Sequence, residues 1–347
     1  MDVIKIKKVK QLLIFFLILS ANYSFGQNPQ IDNKGIRIMF YNVENLFYPL
    51  DDPIKRDDEF TPKGTKYWNW RRYDQKIRNV AKTAIALGEW EAPAVLGLCE
   101  IESIECLTDL VENSPLKKYK YKILHYECGD KRGIDVALLY RPEFFNLVGS
   151  KPFVLNFGPD SRPTRDILYA KGIVNEKDTL HLFVNHWPSR YGGQLVTAPK
   201  REKAAETLKG IYDSLLVDDP KANIIAMGDF NDHPDDVSMK DILKAKMDTV
   251  NLQPDELVNS MWQYTKSGGT HKYQHVWGVL DQIVLSQNLV FSKNNLYAGL
   301  PTTHIFKADW LLEKDDVGMK LNRTYIGFKF HGGYSDHLPI YVDVLFK

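Results

Sequence analysis

At residues 224–231 the chain reads Ile224-Ile225-Ala226-Met227-Gly228-Asp229-Phe230-Asn231. The apolar run predicts a buried β-strand, and a carboxylate and an amide follow at its end. Gly228 permits a close approach of another backbone segment. Because side chains alternate along an extended segment, residues 229 and 231 are expected to lie on the same side. This stretch therefore predicts a strand that presents two polar side chains to one ligand.

The same arrangement recurs along the chain. Polar residues end or border other apolar runs at Tyr41-Asn42, Leu98-Cys99-Glu100, Asn185-His186-Trp187-Pro188, Leu280-Asp281 and Ser335-Asp336-His337. Strand ends gathered at one edge of a sheet can converge on a single site. The sequence therefore predicts one centre built from segments almost three hundred residues apart.

Hydrophobic periodicity gives the fold class. Amphipathic helices are predicted over residues 73–87 and 199–216, whereas strands are predicted over residues 36–40, 94–99, 121–126, 134–140, 167–174, 179–184, 224–227, 279–285 and 338–346. Many strands with few helices predict an α/β class fold in which packed sheets are covered by helices. No Gly/Ser/Pro-rich linker divides residues 27–347, so we expect one domain there.

Residues 1–26 have the pattern of a cleavable signal peptide. Four lysines precede the apolar stretch at residues 12–19, and small residues follow at residues 24–26. The apolar stretch is too short for a membrane-spanning helix. We therefore expect a secreted or periplasmic protein that begins near Gln27 and has no membrane span after cleavage.

Charge and cysteine content narrow the function classes. Removing residues 1–26 takes away four lysines and one aspartate and leaves a formal charge of −2. Such a chain has no global attraction to polyanions, so nucleic-acid binding must depend on local patches. Three cysteines are too few to stabilise a chain of this length by disulfides, and they form no metal-binding motif.

Hydrolysis of a phosphoester would explain these residue types. The reaction needs a cation on the phosphate oxygens, a base for water and stabilisation of the departing oxygen. Oxygen ligands without thiolates favour Mg²⁺, with Mn²⁺ or Ca²⁺ as substitutes. Glu100 is the strongest candidate ligand because it ends an apolar strand, where an unpaired carboxylate is costly. Glu102 would face the same way and is the alternative.

The ordered motifs resemble those of the endonuclease/exonuclease/phosphatase superfamily. The resemblance covers nearly all of residues 27–347 and rests on six motifs: Tyr41-Asn42-Val43-Glu44-Asn45-Leu46-Phe47, Glu100, Asn185-His186-Trp187-Pro188, Gly228-Asp229-Phe230-Asn231, Asp281 and Ser335-Asp336-His337. It implies a four-layer α/β sandwich in which two mainly antiparallel sheets lie between helical layers. It also implies a phosphoester hydrolase that uses a divalent cation.

The resemblance also implies roles for individual residues. Asp229 would orient or deprotonate the attacking water, and Asn231 would hold a phosphoryl oxygen. Asp281 would fix the tautomer of His337, while His186 would contact the phosphate or protonate the leaving oxygen. The predicted metal ligands are Asn42, Glu100 and Asp336. Asn42 would offer either its carbonyl oxygen to the ion or its amide N–H to phosphate. Asp336 would be either a metal ligand or an orienting carboxylate.

Three residues are predicted to bind substrate. Arg165 resembles a family arginine near phosphate, with a surface ion pair as the alternative. Trp187 and Arg190 belong to the loop at residues 187–193 that follows His186, and we expect this loop to be exposed near the site. Residues 67–73 interleave aromatic and basic side chains, which is typical of a base-stacking platform or of tryptophans packed on the next helix.

The leading hypothesis is an exported, Mg²⁺-dependent DNA or RNA nuclease that acts as a monomer on nucleic acid or a small phosphoester, with no protein partner indicated. A second hypothesis is a phosphatase or phosphodiesterase for lipid, inositol or sugar phosphates. A third is a catalytically silent binding protein on the same scaffold, which the full set of reactive residues disfavours.

Overall fold

Two seven-stranded β-sheets form the centre of the computed structural model, which describes residues 35–89, 91–159, 161–247, 249–293 and 295–347. The predicted signal peptide, residues 1–26, lies outside the described residues. Gly35–Lys347 group as one compact unit. Among the described residues, no helix is long and apolar enough to span a membrane.

The first sheet has the strand order β14-β20-β1-β2-β4-β3, with β15 also paired to β20. Its strands are β1 (Gly35–Leu46), β2 (Val95–Ile101), β3 (Lys122–His125), β4 (Asp135–Tyr140), β14 (Leu296–Tyr297), β15 (Thr303–Ile305) and β20 (Ile340–Phe346). Only the β1–β2 pair among its described pairings is parallel.

The second sheet has the strand order β5-β6-β7-β8-β13-β10-β9. Its strands are β5 (Asn146–Phe153), β6 (Ile167–Val174), β7 (Asp178–His186), β8 (Asn223–Asp229), β9 (Ala245–Lys246), β10 (Leu257–Asn259) and β13 (Asp281–Leu285). The β7–β8 and β9–β10 pairs are parallel and the other described pairings are antiparallel. Both sheets are thus mainly antiparallel.

Helices cover the outer faces of both sheets. The helices are α1 (Trp70–Leu87), α2 (Ile104–Glu112), α3 (Gln194–Asp218) and the short α4 (Gln287–Phe291). Three two-stranded ribbons lie outside the two large sheets: β11 (His271–Tyr273) with β12 (Val276–Gly278), β16 (Leu312–Asp315) with β17 (Gly318–Leu321), and β18 (Tyr325–Ile326) with β19 (Lys329–Phe330).

Alternation along the strands creates three apolar layers. In β1, Ile38 and Phe40 pack between the two sheets, whereas Met39 and Tyr41 pack with the side chains of α1 and α2. The outer face of the second sheet packs against α3 in the same way. The order helix, sheet, sheet, helix confirms the predicted four-layer α/β sandwich.

Two helix boundaries differ from the sequence prediction. Helix α1 begins at Trp70 rather than Tyr73, because the Asn69 side chain accepts a hydrogen bond from Arg72 N and caps the first turn. Helix α3 begins at Gln194 rather than Pro199. Proline lacks an N–H and favours helix starts, but here the helix carries it in the second turn.

Candidate active site

The predicted site residues gather at one edge of the two sheets. Strands β1, β2, β7 and β8 end there, while the antiparallel strands β4 and β13 begin there. Asp281 is the cross-strand partner of Asp229, and His186 is its partner on the other side. Gly228 permits this pairing, because a Cβ at that position would lie 2.4 Å from Asn185 O.

Asp229 lies at the centre of the site. Its Oδ2 accepts a hydrogen bond from Asn42 Nδ2 at 3.1 Å and lies 3.8 Å from Nε2 of both His186 and His337. Burial raises the pKa of the Asp229 carboxyl to about 6, although the charge of His337 partly opposes the increase. Four motifs that are distant in the sequence therefore meet at a single carboxylate.

His337 is held as a cation by carboxylates. Its Nδ1 lies 2.7 Å from Asp281 Oδ2, and the Ser335 hydroxyl anchors the segment by donating to Asn42 O at 2.7 Å. Burial alone would lower the pKa of His337, but Asp281 and Asp229 outweigh that effect and raise the pKa well above its ordinary value. Asp281 therefore orients the ring and stabilises its charge.

His186 has the opposite surroundings. Its Nε2 lies 3.8 Å from Glu100 Oε1 and 3.8 Å from Asp229 Oδ2, while Nδ1 is buried without a hydrogen-bond partner in the described part of the chain. Burial lowers the pKa of His186 well below its ordinary value, and the charges of Arg165 and Arg132 add to the decrease. The ring is therefore neutral near physiological pH.

Glu100 lies at a backbone irregularity. Its φ is 62°, and the β2–β4 register shifts between Cys99 and Ile101. Its carboxylate accepts from Asn42 Nδ2 at 3.3 Å and from Asn45 N at 2.8 Å. Left-handed backbone at a residue other than glycine costs about 1–3 kcal/mol and often marks a functional site.

Glu102 turns away from this cluster. It accepts a hydrogen bond from Tyr48 N, and burial raises the pKa of its carboxyl to about 8. Of the two glutamates considered from the sequence, Glu100 is the one that contacts Asn42.

The donor set fits a hard divalent cation. The Glu100 and Asp229 carboxylates share the Asn42 amide, and Asp281 Oδ1 is buried with no partner among the described residues. Three groups of described side chains have ligand atoms close enough to hold an ion, and two of them lie at this site: Asp229, Asp281 and His337, and His271, Asp336 and His337. His337 belongs to both groups but is held as a cation, so the carboxylate oxygens, rather than this ring, suit Mg²⁺ or Mn²⁺.

The three predicted metal ligands do not share one environment. Asn42 and Glu100 are in contact, but Asn42 Oδ1 accepts from Glu44 N, so the amide rather than the carbonyl faces the carboxylates. Asp336 accepts from Arg323 Nη2 at 2.8 Å and belongs to the group with His271. The ligand roles of all three remain predictions.

Asn231 reaches the site differently from the prediction. Strand β8 ends at Asp229, and Asn231 adopts a φ of 52°, so simple alternation does not position it. Its backbone N–H donates to Asp229 Oδ1 at 2.9 Å, and its side-chain amide donates to Trp187 O at 3.0 Å. Arg165 donates to the same carbonyl at 2.6 Å, which brings these two predicted residues together.

The prediction that Trp187 is exposed to substrate is wrong. Its side chain is fully buried, its ring packs edge-on against Phe230, and its Nε1 donates to Asn185 Oδ1 at 3.1 Å. The ring extends the apolar layer beneath α3. The backbone of Trp187, rather than its ring, contacts residues of the site: its N–H donates to Asp229 O at 2.9 Å, and its carbonyl accepts from Asn231 and Arg165.

Arg190 is bound to the segment that follows β8. Its guanidinium donates to Asn231 O at 2.7 Å and to the carboxylates of Asp232 and Asp236. The loop expectation is met at Tyr191, which is 93% exposed. Arg190 therefore holds the residues after β8 in place instead of presenting a free cation to substrate.

A partly buried ion network beside the site was not predicted from the sequence. Arg323 bridges Glu44 and Asp336, with its Nε 3.1 Å from Glu44 Oε1. Lys76 is buried on α1 and donates to Tyr334 O at 2.6 Å; burial lowers its pKa to about 8. Glu44 belonged to the quoted Asn42 motif, but nothing in the local sequence pairs it with cations 32 and 279 residues away.

The fold resembles the solved structures of several other proteins. A TDP2 structure from D. rerio, humanized by 14 mutations, is 16% identical, covers 90% of this chain and 99% of that chain, and has a TM-score of 0.55. An endonuclease/exonuclease/phosphatase family protein from Bacteroides thetaiotaomicron is 15% identical, covers 90% of this chain and 98% of that chain, and has a TM-score of 0.53. The human Nocturnin catalytic domain with bound sulfate is 16% identical, with 90% and 95% coverage and a TM-score of 0.53.

A search of curated proteins found no match. The model of the endonuclease/exonuclease/phosphatase family, however, matches residues 37–345. That range includes every predicted site residue. The chain therefore belongs to the endonuclease/exonuclease/phosphatase family of phosphoester hydrolases.

Proposed function

We propose that this chain is an exported, divalent-metal-dependent phosphodiesterase that cleaves nucleic acid. The observation that supports the reaction most strongly is the meeting of Asn42, His186 and His337 around one oxygen of Asp229. The sequence Asp229-Phe230-Asn231-Asp232 resembles the nuclease-like branches of the family more than its inositol-phosphatase branch. That resemblance supports nucleic acid as the substrate.

Each residue has a role in the proposed reaction. A divalent cation held by Glu100 and neighbouring oxygen ligands would neutralise charge on the scissile phosphate. Asp229 orients the attacking water and accepts its proton. His337, oriented and kept charged by Asp281, directs Nε2–H toward the same region and stabilises the negative charge that develops on the phosphoryl oxygens.

A substrate panel tests the reaction. Plasmid DNA, RNA, bis(p-nitrophenyl) phosphate, sphingomyelin and inositol phosphates are each incubated with Mg²⁺ or with EDTA. We expect metal-dependent cleavage of nucleic acid that is lost in Asp229→Asn and His337→Gln. Circular dichroism of both variants checks that they fold.

Other results would change the proposal. If only a phosphomonoester, sphingomyelin or an inositol phosphate is hydrolysed, the proposed function changes from a nuclease to a lipid or sugar phosphate hydrolase. If the protein binds metal but hydrolyses no substrate in the panel, the proposed function changes to a binding protein on the same scaffold.

Export is a separate part of the proposal. It is supported by the basic and apolar pattern of residues 1–26. Expression of the full chain in a Gram-negative host, followed by fractionation and N-terminal sequencing, tests it. We expect a periplasmic product that begins at Gln27, and a cytoplasmic product that retains Met1 or Asp2 at its start would contradict export.

A further inference from the structure

A strongly basic groove opens beside the candidate active site. It has a volume of about 270 Å³ and is lined by the loop after β1, the loops before β4 and β6, the loop after β7 and the first turns of α3. We call it the cationic groove and define it by its six basic residues: Arg56, Lys131, Arg132, Arg162, Arg165 and Lys200. Asp130 is the one acidic residue among the described lining residues.

Most of the positive charge in the cationic groove is unpaired. Asp130 accepts from Arg165 at 3.0 Å and from Arg132 at 3.2 Å. The other four basic side chains form no ion pair with any residue that the structure describes. Since the whole chain has a formal charge of only +1, their convergence is a local concentration of charge.

The cationic groove connects directly to Asp229. Arg165 donates to Trp187 O, the same carbonyl accepts from Asn231, and Asn231 N donates to Asp229. Pro188 and Ser189, which follow Trp187, line the groove itself. A molecule with one phosphate at Asp229 could therefore place a neighbouring phosphate in the groove.

Two polar atoms of groove-lining residues have no partner. Thr164 Oγ1 and Arg165 Nε are buried and make no hydrogen bond to any described residue. A buried donor without an acceptor costs about 1–3 kcal/mol. A phosphate oxygen would supply the missing acceptor.

An exposed aromatic ring completes the groove. Tyr191 lines it and is 93% exposed. Basic grooves that carry exposed aromatic rings bind single-stranded nucleic acid, because the cations hold the backbone and each base can stack on a ring. This combination favours a polynucleotide over a small polyphosphate without bases.

The pocket on the opposite side of the site has a different charge balance. It contains Lys272, Lys320 and Arg323, but also Glu313, Asp315 and Asp336. Lys320 pairs with Glu313 at 3.2 Å and Arg323 pairs with Asp336 at 2.8 Å. Its three cations are balanced by three carboxylates, so a polyanion at the active site is attracted toward the cationic groove rather than toward this pocket.

We propose that the cationic groove is a subsite for a second phosphate of a single-stranded polynucleotide whose scissile phosphate lies at Asp229. This inference rests on the proposed function, since it names the substrate class of the same site. It further assigns Tyr191 as a stacking surface for the adjacent base.

Matched triple variants test the subsite. The groove variant is Lys131→Gln/Arg162→Gln/Lys200→Gln. The control is Lys122→Gln/Lys177→Gln/Lys221→Gln, which removes the same charge from exposed positions at the opposite edge of the sheets. Thermal unfolding verifies that both variants fold.

Binding is measured by fluorescence anisotropy of a labelled single-stranded octanucleotide in EDTA over a series of salt concentrations. We expect the groove variant to raise Kd by about tenfold or more and to reduce the salt slope by about 0.7, which is the contribution of one phosphate contact on a single strand. The control should retain the wild-type Kd. Equal weakening in both variants, or no change in the groove variant, would overturn the subsite.

Kinetics and competition separate the remaining outcomes. With Mg²⁺, the ratio of kcat/KM for the octanucleotide to kcat/KM for bis(p-nitrophenyl) phosphate should fall about tenfold in the groove variant only. Binding of inositol hexakisphosphate or of anionic phospholipid vesicles, without binding of the octanucleotide, would overturn the polynucleotide assignment. If the wild-type protein hydrolyses none of these substrates, the proposed function is rejected. The anisotropy measurement still tests whether the groove binds the octanucleotide.

Discussion

The two sides of the site give the same residue type different charge states. On the acidic side, Asp281 and Asp229 surround His337 and raise its pKa well above the ordinary value, although burial opposes the change. On the basic side, burial, Arg165 and Arg132 lower the pKa of His186 well below it. Both rings are almost fully buried, so burial alone does not determine their charge. The neighbouring charges decide which imidazole is a cation.

The strand pairing produces this asymmetry. Because β13 runs antiparallel to β8, Asp281 lies directly beside Asp229, and the two carboxylates repel each other unless a cation lies between them. His337 supplies that charge on the acidic side. No carboxylate is hydrogen-bonded to His186 in the described structure, and the nearby guanidiniums continue into the cationic groove.

Asp281→Asn tests the acidic side and should have the largest effect. The substitution keeps the shape of the side chain but removes the charge that holds His337 protonated and oriented. We expect kcat for a phosphodiester to fall by about 10³- to 10⁴-fold, as when the carboxylate behind a catalytic histidine is lost. Steady-state kinetics with saturating metal provides the measurement.

Asp343→Asn is the matched control for this prediction. Asp343 also pairs with a cation, Arg37, at 2.7 Å, but it lies in β20 away from the site. Its loss should leave kcat almost unchanged. An Asp281→Asn enzyme with kcat close to that of Asp343→Asn would show that the charge of His337 is not needed.

Glu100→Gln tests the boundary between the two sides, where Glu100 contacts Asn42 and His186. If Glu100 is a metal ligand, the apparent affinity for Mn²⁺ should fall by about 10- to 100-fold. Electron paramagnetic resonance of free Mn²⁺ measures this independently of turnover. Glu102→Gln is the control, and a larger loss of affinity in that variant would transfer the ligand role to Glu102.

The sequence predicted the acidic side better than the basic side. Asp229 and Asp281 lie in regular strands, where periodicity identifies both the strand and its polar end. The pairing of Asp281 with His337 followed from the family motif and is present at 2.7 Å. The four-layer arrangement was also predictable, because it depends on the number and spacing of apolar strands.

Other features depend on backbone geometry and on distant contacts. Glu100 and Asn231 have positive φ angles, which alternation of side chains cannot anticipate. The burial of Trp187 results from packing against Phe230 and α3, whereas its position after His186 suggested an exposed loop. Lys76 and Arg323 become site neighbours only through tertiary contacts with Glu44, Asp336 and the segment at residues 322–334.

Trp187→Phe tests how the basic side is supported. The substitution removes the donor to Asn185 Oδ1 and leaves that buried acceptor unpaired, so the free energy of unfolding should fall by about 1–3 kcal/mol. KM for an oligonucleotide should remain near the wild-type value, because the ring is buried. Urea unfolding and steady-state kinetics measure the two effects.

The half-exposed Trp70 provides the comparison for this variant, since Trp70→Phe should destabilise less. A Trp187→Phe protein with wild-type stability but a greatly increased KM would restore the ring as a substrate contact. It would also contradict the interpretation that the basic side acts through the Trp187 backbone carbonyl and Arg165.

His181 is a buried imidazole away from the site, and it tests the effect of burial on a histidine pKa. Its substitution should have the smallest of the predicted effects. Burial, aided by the charge of Lys171, lowers its pKa to about 4. The unfolded chain therefore binds more protons than the folded chain between pH 6.5 and pH 4, and stability falls as the pH decreases through that interval. His181→Gln should remove this part of the slope, which is at most about 1.4 kcal/mol per pH unit.

Tyr169→Phe separates burial from hydrogen bonding in that prediction. The Tyr169 hydroxyl lies 2.8 Å from His181 Nδ1, and its removal leaves the imidazole buried. If burial is the main cause, urea unfolding from pH 4 to pH 8 should show the wild-type slope in Tyr169→Phe and a reduced slope in His181→Gln. A reduced slope in both variants would assign the shift to the hydrogen bond. It would also weaken the inference that carboxylates must overcome burial to keep His337 charged.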